Sequence, residues 1–154
     1  MPAVAVAYLE DLAVGDEAWS AETFELERDE IVEFARRWDP QPFHLDEAAA
    51  RDSIFGGLTA SSAHLFAIQC RLALTVDPLL AVLAGLGNDG LELLLPTRPG
   101  DRLRLLRRVV SKRESKTKPD RGIVQIGHEI VNQRGEVVCR ALGRIMVARR
   151  RVER

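Results

Sequence analysis

Asp39 and His44 lie five residues apart in the segment WDPQPFH. A carboxyl group and an imidazole are the side chains most often used to move protons near neutral pH. Pro40 and Pro42 stand between them. Proline fixes its own φ and narrows the path of the chain, so the spacer is stiff. Both groups can then face one cavity with little reorganisation. The chemistry such a pair can do is general acid–base catalysis on a small substrate. Spacing alone leaves another reading open, with Asp39 as a turn residue before proline and His44 as a hydrogen-bonded loop histidine.

A second element follows. Gly56, Gly57, Ser61 and Ser62 precede the apolar run AHLFAIQCRLALTV (63–76). The first N–H groups of a helix lack intrahelical partners and favour negative charge. A carbonyl oxygen gaining enolate character is stabilised at such a point. A plain glycine loop with a serine cap is the alternative. His64 reads as a packing or capping residue, and His128 as a core or interface residue in a strand. Cys70 and Cys139 sit in apolar stretches and read as two buried thiols of a reducing compartment. No CxxC pair and no zinc-type Cys/His spacing occurs, so no metal site is expected.

The elements that must hold these groups are legible in part. Ile31, Phe34, Ala35 and Trp38 follow helical spacing and predict a helix with Trp38 in the core. Pro40 disfavours helix at Asp39, so this helix ends near Trp38. Two prolines predict an extended or turned segment over 40–43. Asp46 can cap a short helix over EAAAR. Residues 54–60 form a glycine loop. Ser61 or Ser62 caps a helix running to about Val76, apolar nearly all round and therefore buried. Residues 77–90 read as a loop whose Leu-rich part, 79–86, could border or overhang an apolar pocket. Segments 91–95, 102–112, 122–131 and 136–149 read as strands of an antiparallel meander. One buried helix with a long antiparallel sheet round it is an α+β fold. Free sheet edges predict a homodimer or a higher homo-oligomer.

The 154 residues suit a single domain. A basic tail from about 150 is expected to be disordered. The net charge of -1 argues against nucleic acid as the main partner. No apolar run is long enough for a membrane span, and the N-terminus lacks a leader pattern, so a cytoplasmic protein is expected. Basic residues do cluster over 102–118, where a solvated face competes with an anion site.

The run FARRWDPQPFHLDEAAARDSIFGGLTASSAH resembles the signature segment of MaoC-like dehydratases and (R)-specific enoyl-CoA hydratases. The matching pieces are Asp39, Pro42, His44, Asp46, Ala50 and the FGGLTAS loop. PTRPGDRL (96–103) and SKTKPDRGIV (115–124) are also similar, so the likeness spans roughly residues 8–149. It implies the hotdog fold, a long antiparallel sheet wrapped round a central helix. It implies that Asp39 and His44 hold a water and exchange protons, and that the N–H of Ser62 forms the oxyanion hole. Family members usually carry glycine at that position, and asparagine where this chain has Gln41. The implied substrate is a 2-enoyl or 3-hydroxyacyl thioester of coenzyme A or acyl carrier protein. Coenzyme A enters only as part of the substrate, and no separate cofactor is expected. Ser61 and Gly57 could touch that substrate, and Lys116, Lys118 and Arg121 could meet its phosphates. Two other readings compete. A hotdog thioesterase would want a carboxylate on the central helix, and none lies between Ser61 and Val76. A non-catalytic hotdog subunit would tend to lose the acid–imidazole pair.

Overall fold

The computed structural model describes residues 5–151. Among the described residues, four α-helices and eight strands succeed one another, with a short 3-10 helix at Leu9–Asp11. Strands β1 (Val6–Ala7), β2 (Glu17–Trp19) and β3 (Phe24–Glu25) come first, before helices α1 (Arg28–Trp38), α2 (Pro42–Leu45), α3 (Glu47–Arg51) and α4 (Ser62–Ala73). Strands β4 (Leu79–Leu80), β5 (Val82–Leu93), β6 (Arg102–Glu114), β7 (Arg121–Val131) and β8 (Val137–Ala148) complete the chain. The main sheet is antiparallel with the order β2-β6-β7-β8-β5, and β3 also pairs with β6.

The strands form where side chains alternate. Leu103, Leu105 and Val109 of β6 and Val124, Ile126 and Ile130 of β7 all point inward and are buried. Leu103, Leu105 and Ile130 pack against Leu65, Ile68 and Leu72 of α4, with Ile31 of α1 and Leu26 completing the core. A smaller cluster joins Leu9 and Leu12 to Val109, Val124 and Val147. The architecture of a sheet round one central helix, expected from the resemblance, is therefore present.

Several local expectations are corrected. Residues 82–90 are not loop but the first part of β5, paired with β8. Gly85, Gly87 and Gly90 break the alternation that marks a strand, and the register shifts lie beside them. Pairing with β8 overrides the weak local signal. Pro42 starts a short helix at a position where its missing N–H does no harm, so 42–45 is helical rather than extended. Trp38 is not core: it is 63% exposed, with the Arg37 guanidinium over its ring. Helix α4 ends at Ala73 and is not buried all round. Its outer stripe of Ala63, Ala67, Cys70 and Leu74 is exposed, so only Cys139 is a buried thiol. The basic tail is held at its start, because Arg150 binds both carboxylate oxygens of Asp11 at 2.7 Å. The rest of that expectation falls on 152–154, outside the described residues. Among the described residues no helix is long and apolar enough to cross a membrane.

Gly122 shows how tightly the N-terminal segment sits on the sheet. A Cβ there would lie 2.5 Å from the Arg113 carbonyl oxygen and would collide with the Leu9 side chain. Gly122→Ala should lower the unfolding free energy by about 1–3 kcal/mol, as overpacking does. The shift of the urea midpoint measures it.

Candidate active site

Asp39 sits one residue beyond α1 as its C-cap, and its N–H bonds to the Ala35 carbonyl at 2.8 Å. Pro40 stops the helix there and turns the chain. The first turn of α2 then carries His44 back towards Asp39, with the His44 N–H on the Gln41 carbonyl at 2.9 Å. Asp46 caps α3 as expected, its Oδ1 accepting from the Ala49 N–H at 2.8 Å.

His44 is buried, and Phe43 packs edge-on against it. Its Nδ1 lies 2.5 Å from the Thr59 carbonyl oxygen. A carbonyl oxygen can only accept, so Nδ1 carries the proton. In the neutral ring, Nε2 is then an acceptor. Nε2 lies 3.6 Å from Asp39 Oδ2. Both facing atoms are acceptors, and the gap is too long for a direct hydrogen bond. A water between them would donate one hydrogen to each and keep its oxygen lone pairs free.

Thr59 is held in turn by features with no obvious sequence signal. The Arg98 guanidinium donates to the carbonyls of Phe55, Gly57 and Leu58, the Gly57 contact being 2.7 Å. A Cβ on Gly57 would lie 3.1 Å from Arg98 Nη1, so a side chain there would press on this contact. Gly56 has φ +64°, a conformation that side chains disfavour. Next to this loop, the Ala60 N–H bonds to Thr97 Oγ1 at 3.3 Å.

Ser61 is the N-cap of α4, its Oγ accepting from the His64 N–H at 3.2 Å. Ser62 is the first helical residue. The first intrahelical bond runs from the Leu65 N–H to the Ser61 carbonyl, so the Ser62 N–H is not used inside the helix. Asp39, His44 and Ser62 line one cavity of about 340 Å³. Leu65, Phe43, Phe55 and Leu93–Leu95 give it apolar walls. The Leu-rich segment 79–86 does not contribute, so the apolar wall is the end of β5 instead.

Other predicted contacts are not brought here within the chain. Gly57 shapes the loop behind His44, and Ser61 is buried under its cap. Lys116 and Lys118 lie in the β6–β7 connection, and Arg121 is tied to Asp120 at 2.7 Å. Arg121 pairs with Ala148, whereas the cavity residue Leu93 pairs with Cys139 at the other end of β8. The two points are about 30 Å apart along the strand.

His64 points away from the cavity. It stacks on Phe34 at 4.3 Å and its Nε2 stands 3.8 Å from Glu30. Burial lowers its pKa to about 4.

Comparisons with known proteins bear on family and fold. Residues 12–141 match the family model of the FAS1-like dehydratase domain region. The structure of a MaoC-like dehydratase from Rhodospirillum rubrum superposes with a TM-score of 0.89 at 47% identity, over 95% of this chain and 99% of that one. The unliganded R-hydratase PhaJ1 from Pseudomonas aeruginosa shares the fold, with a TM-score of 0.73 at 24% identity over 96% and 92% of the two chains. The protein YdeM of Bacillus subtilis strain 168 is 25% identical over 82% of this chain and 88% of its own. Fold and family together define a hotdog protein of the hydratase and dehydratase class. More particularly, the chain belongs to the MaoC-like dehydratase family.

Two of the histidines make stability depend on acid. His64 and His128 both have pKa values lowered by burial to about 4, against an ordinary 6.5. Between those values the unfolded chain binds more protons than the folded one. The unfolding free energy should therefore rise with pH across that window and level off above it. Urea titrations at both ends of the window measure the slope. His64→Phe, which can keep the stack on Phe34, should reduce it.

Proposed function

We propose that the chain adds water to 2-enoyl thioesters, or removes it from 3-hydroxyacyl thioesters, of coenzyme A or acyl carrier protein. The observation that carries this reading is the 3.6 Å gap between Asp39 Oδ2 and His44 Nε2, with Nδ1 committed to Thr59. Two acceptors at that spacing select a water as their shared partner.

In hydration the thioester carbonyl rests against the N–H of Ser62. The water oxygen attacks the β-carbon while one of its protons passes to His44 Nε2. The electron pair of the double bond moves towards the carbonyl oxygen, where the Ser62 N–H meets the growing negative charge. The imidazolium is stabilised by the ionised Asp39 beside it. Nε2 then returns its proton to the α-carbon, so one water is added across one face. Dehydration runs the same steps backwards. This places the proton on His44 and leaves Asp39 to orient the water and balance the charge. Leu93–Leu95 and Phe55 would receive the acyl chain. The chain would act in the cytoplasm as a homodimer joined along β5, whose outer edge is unpaired among the described residues. Leu83, Leu86, Leu91 and Leu93 stay 38–52% exposed on that strand.

A short 2-enoyl-CoA should lose its conjugated absorbance with this protein, without release of free thiol. Thiol release would favour a thioesterase, and no reaction with any thioester a binding subunit. Asp39→Asn replaces an acceptor with a donor facing the water, so the rate should fall by about 10²–10⁴-fold with the fold intact. A near-normal rate would rule out the assignment. Ser62→Pro tests the oxyanion donor. Proline is tolerated at the first helical position, and Ser61 already has the extended geometry that a following proline needs. That variant should stay folded and lose about 10²–10³-fold in kcat.

A further inference from the structure

A second cavity of about 460 Å³ lies under the C-terminal half of α4, away from Asp39 and His44. The inner face of the sheet is apolar in most rows, but one row is polar here. Arg107 of β6 and His128 of β7 are register partners in that row, and both line the cavity. Gln69 of α4 faces them from the helix side.

These groups are short of partners. Arg107 is 7% exposed, and among the described residues no carboxylate oxygen lies within 4.0 Å of its guanidinium. Asp77 and Asp16 act on it only from a greater distance. Gln69 is 5% exposed, and its Oε1 has no hydrogen-bond partner. His128 is kept neutral at ordinary pH by burial. A buried unpaired guanidinium is strongly unfavourable, and buried amide oxygens are normally satisfied. Arg144, the other cation on the cavity wall, is already matched by Asp89 at 2.9 Å. Arg107 also borders a smaller neighbouring cavity with Asp16 and Asp77, but no acidic residue lines the larger one, so the guanidinium has no direct ion pair there.

The rest of the wall is apolar, from Phe66, Leu74, Leu79 and Leu80 among others. The volume is within the usual range of small-molecule sites. We propose that this cavity binds an amphipathic monocarboxylate, with the carboxylate on Arg107 and the alkyl chain between α4 and β4. Arg107 suits this because a guanidinium grips a carboxylate through two parallel hydrogen bonds. The protonated form of such an acid could add a hydrogen bond to Gln69 Oε1, whereas the anion would leave that oxygen to water. This site is separate from the thioester cavity and does not depend on the hydratase reading.

Octanoate and octanol share an alkyl chain and differ in the carboxylate. Calorimetric titration of the intact protein should show saturable binding of octanoate, at least tenfold tighter than octanol. The side-chain resonances of Arg107 and Gln69 should shift with octanoate, while those of Thr97 beside the thioester cavity should not. Arg107→Met should remove the preference for octanoate. Equal binding of the two ligands, or shifts confined to the thioester cavity, would overturn the proposal. The comparison of ligands on the unaltered protein decides the matter even if Arg107→Met does not fold.

Discussion

The bond from His44 Nδ1 to the Thr59 carbonyl is the interaction on which the rest of the site depends. It does three things at once. It commits one ring nitrogen as a donor, so the other becomes an acceptor. It fixes the plane of the ring, and so the direction in which Nε2 looks. It also ties α2 to the loop that leads into α4. Asp39, His44 and the start of α4 are thereby referenced to one backbone atom. Such pinning of the remote nitrogen is what sets the tautomer of a histidine that must act through the other.

That backbone atom needs support of its own. Arg98 spans three carbonyls of the loop just before Thr59, and Thr97 holds the N–H just after it. Arg98 is set in turn by the turn at 98–101, where Asp101 accepts from its N–H at 2.8 Å. The likeness in PTRPGDRL thus has a physical content beyond a turn. It carries the brace of the loop behind His44. The core beneath, with α4 against β6 and β7, gives that brace a rigid base.

Much of this was legible in the sequence where one residue acts on its own neighbours. The stop at Pro40, the caps at Asp46 and Ser61, and the alternating strands β6 and β7 are local events. So is the stiff spacer between Asp39 and His44. The illegible parts are non-local. Strand β5 exists because β8 lies beside it, while its glycines erase the local pattern. Trp38 fits a helical stripe but overhangs the end of the core. Cys70 lies on the side of α4 that the sheet does not reach. Thr59 takes part through its carbonyl, which every residue possesses, so its side chain could not have revealed the role. The polar row of Arg107 and His128 appears only once β6 and β7 are placed in register.

With Nδ1 on the Thr59 carbonyl, His44 should face Asp39 through the nitrogen without a proton. Nitrogen-15 NMR of the histidine rings near neutral pH tests this directly. His44 should carry its proton on Nδ1, with Nε2 showing the signature of an acceptor. A proton on Nε2, whether alone or together with one on Nδ1, would contradict it.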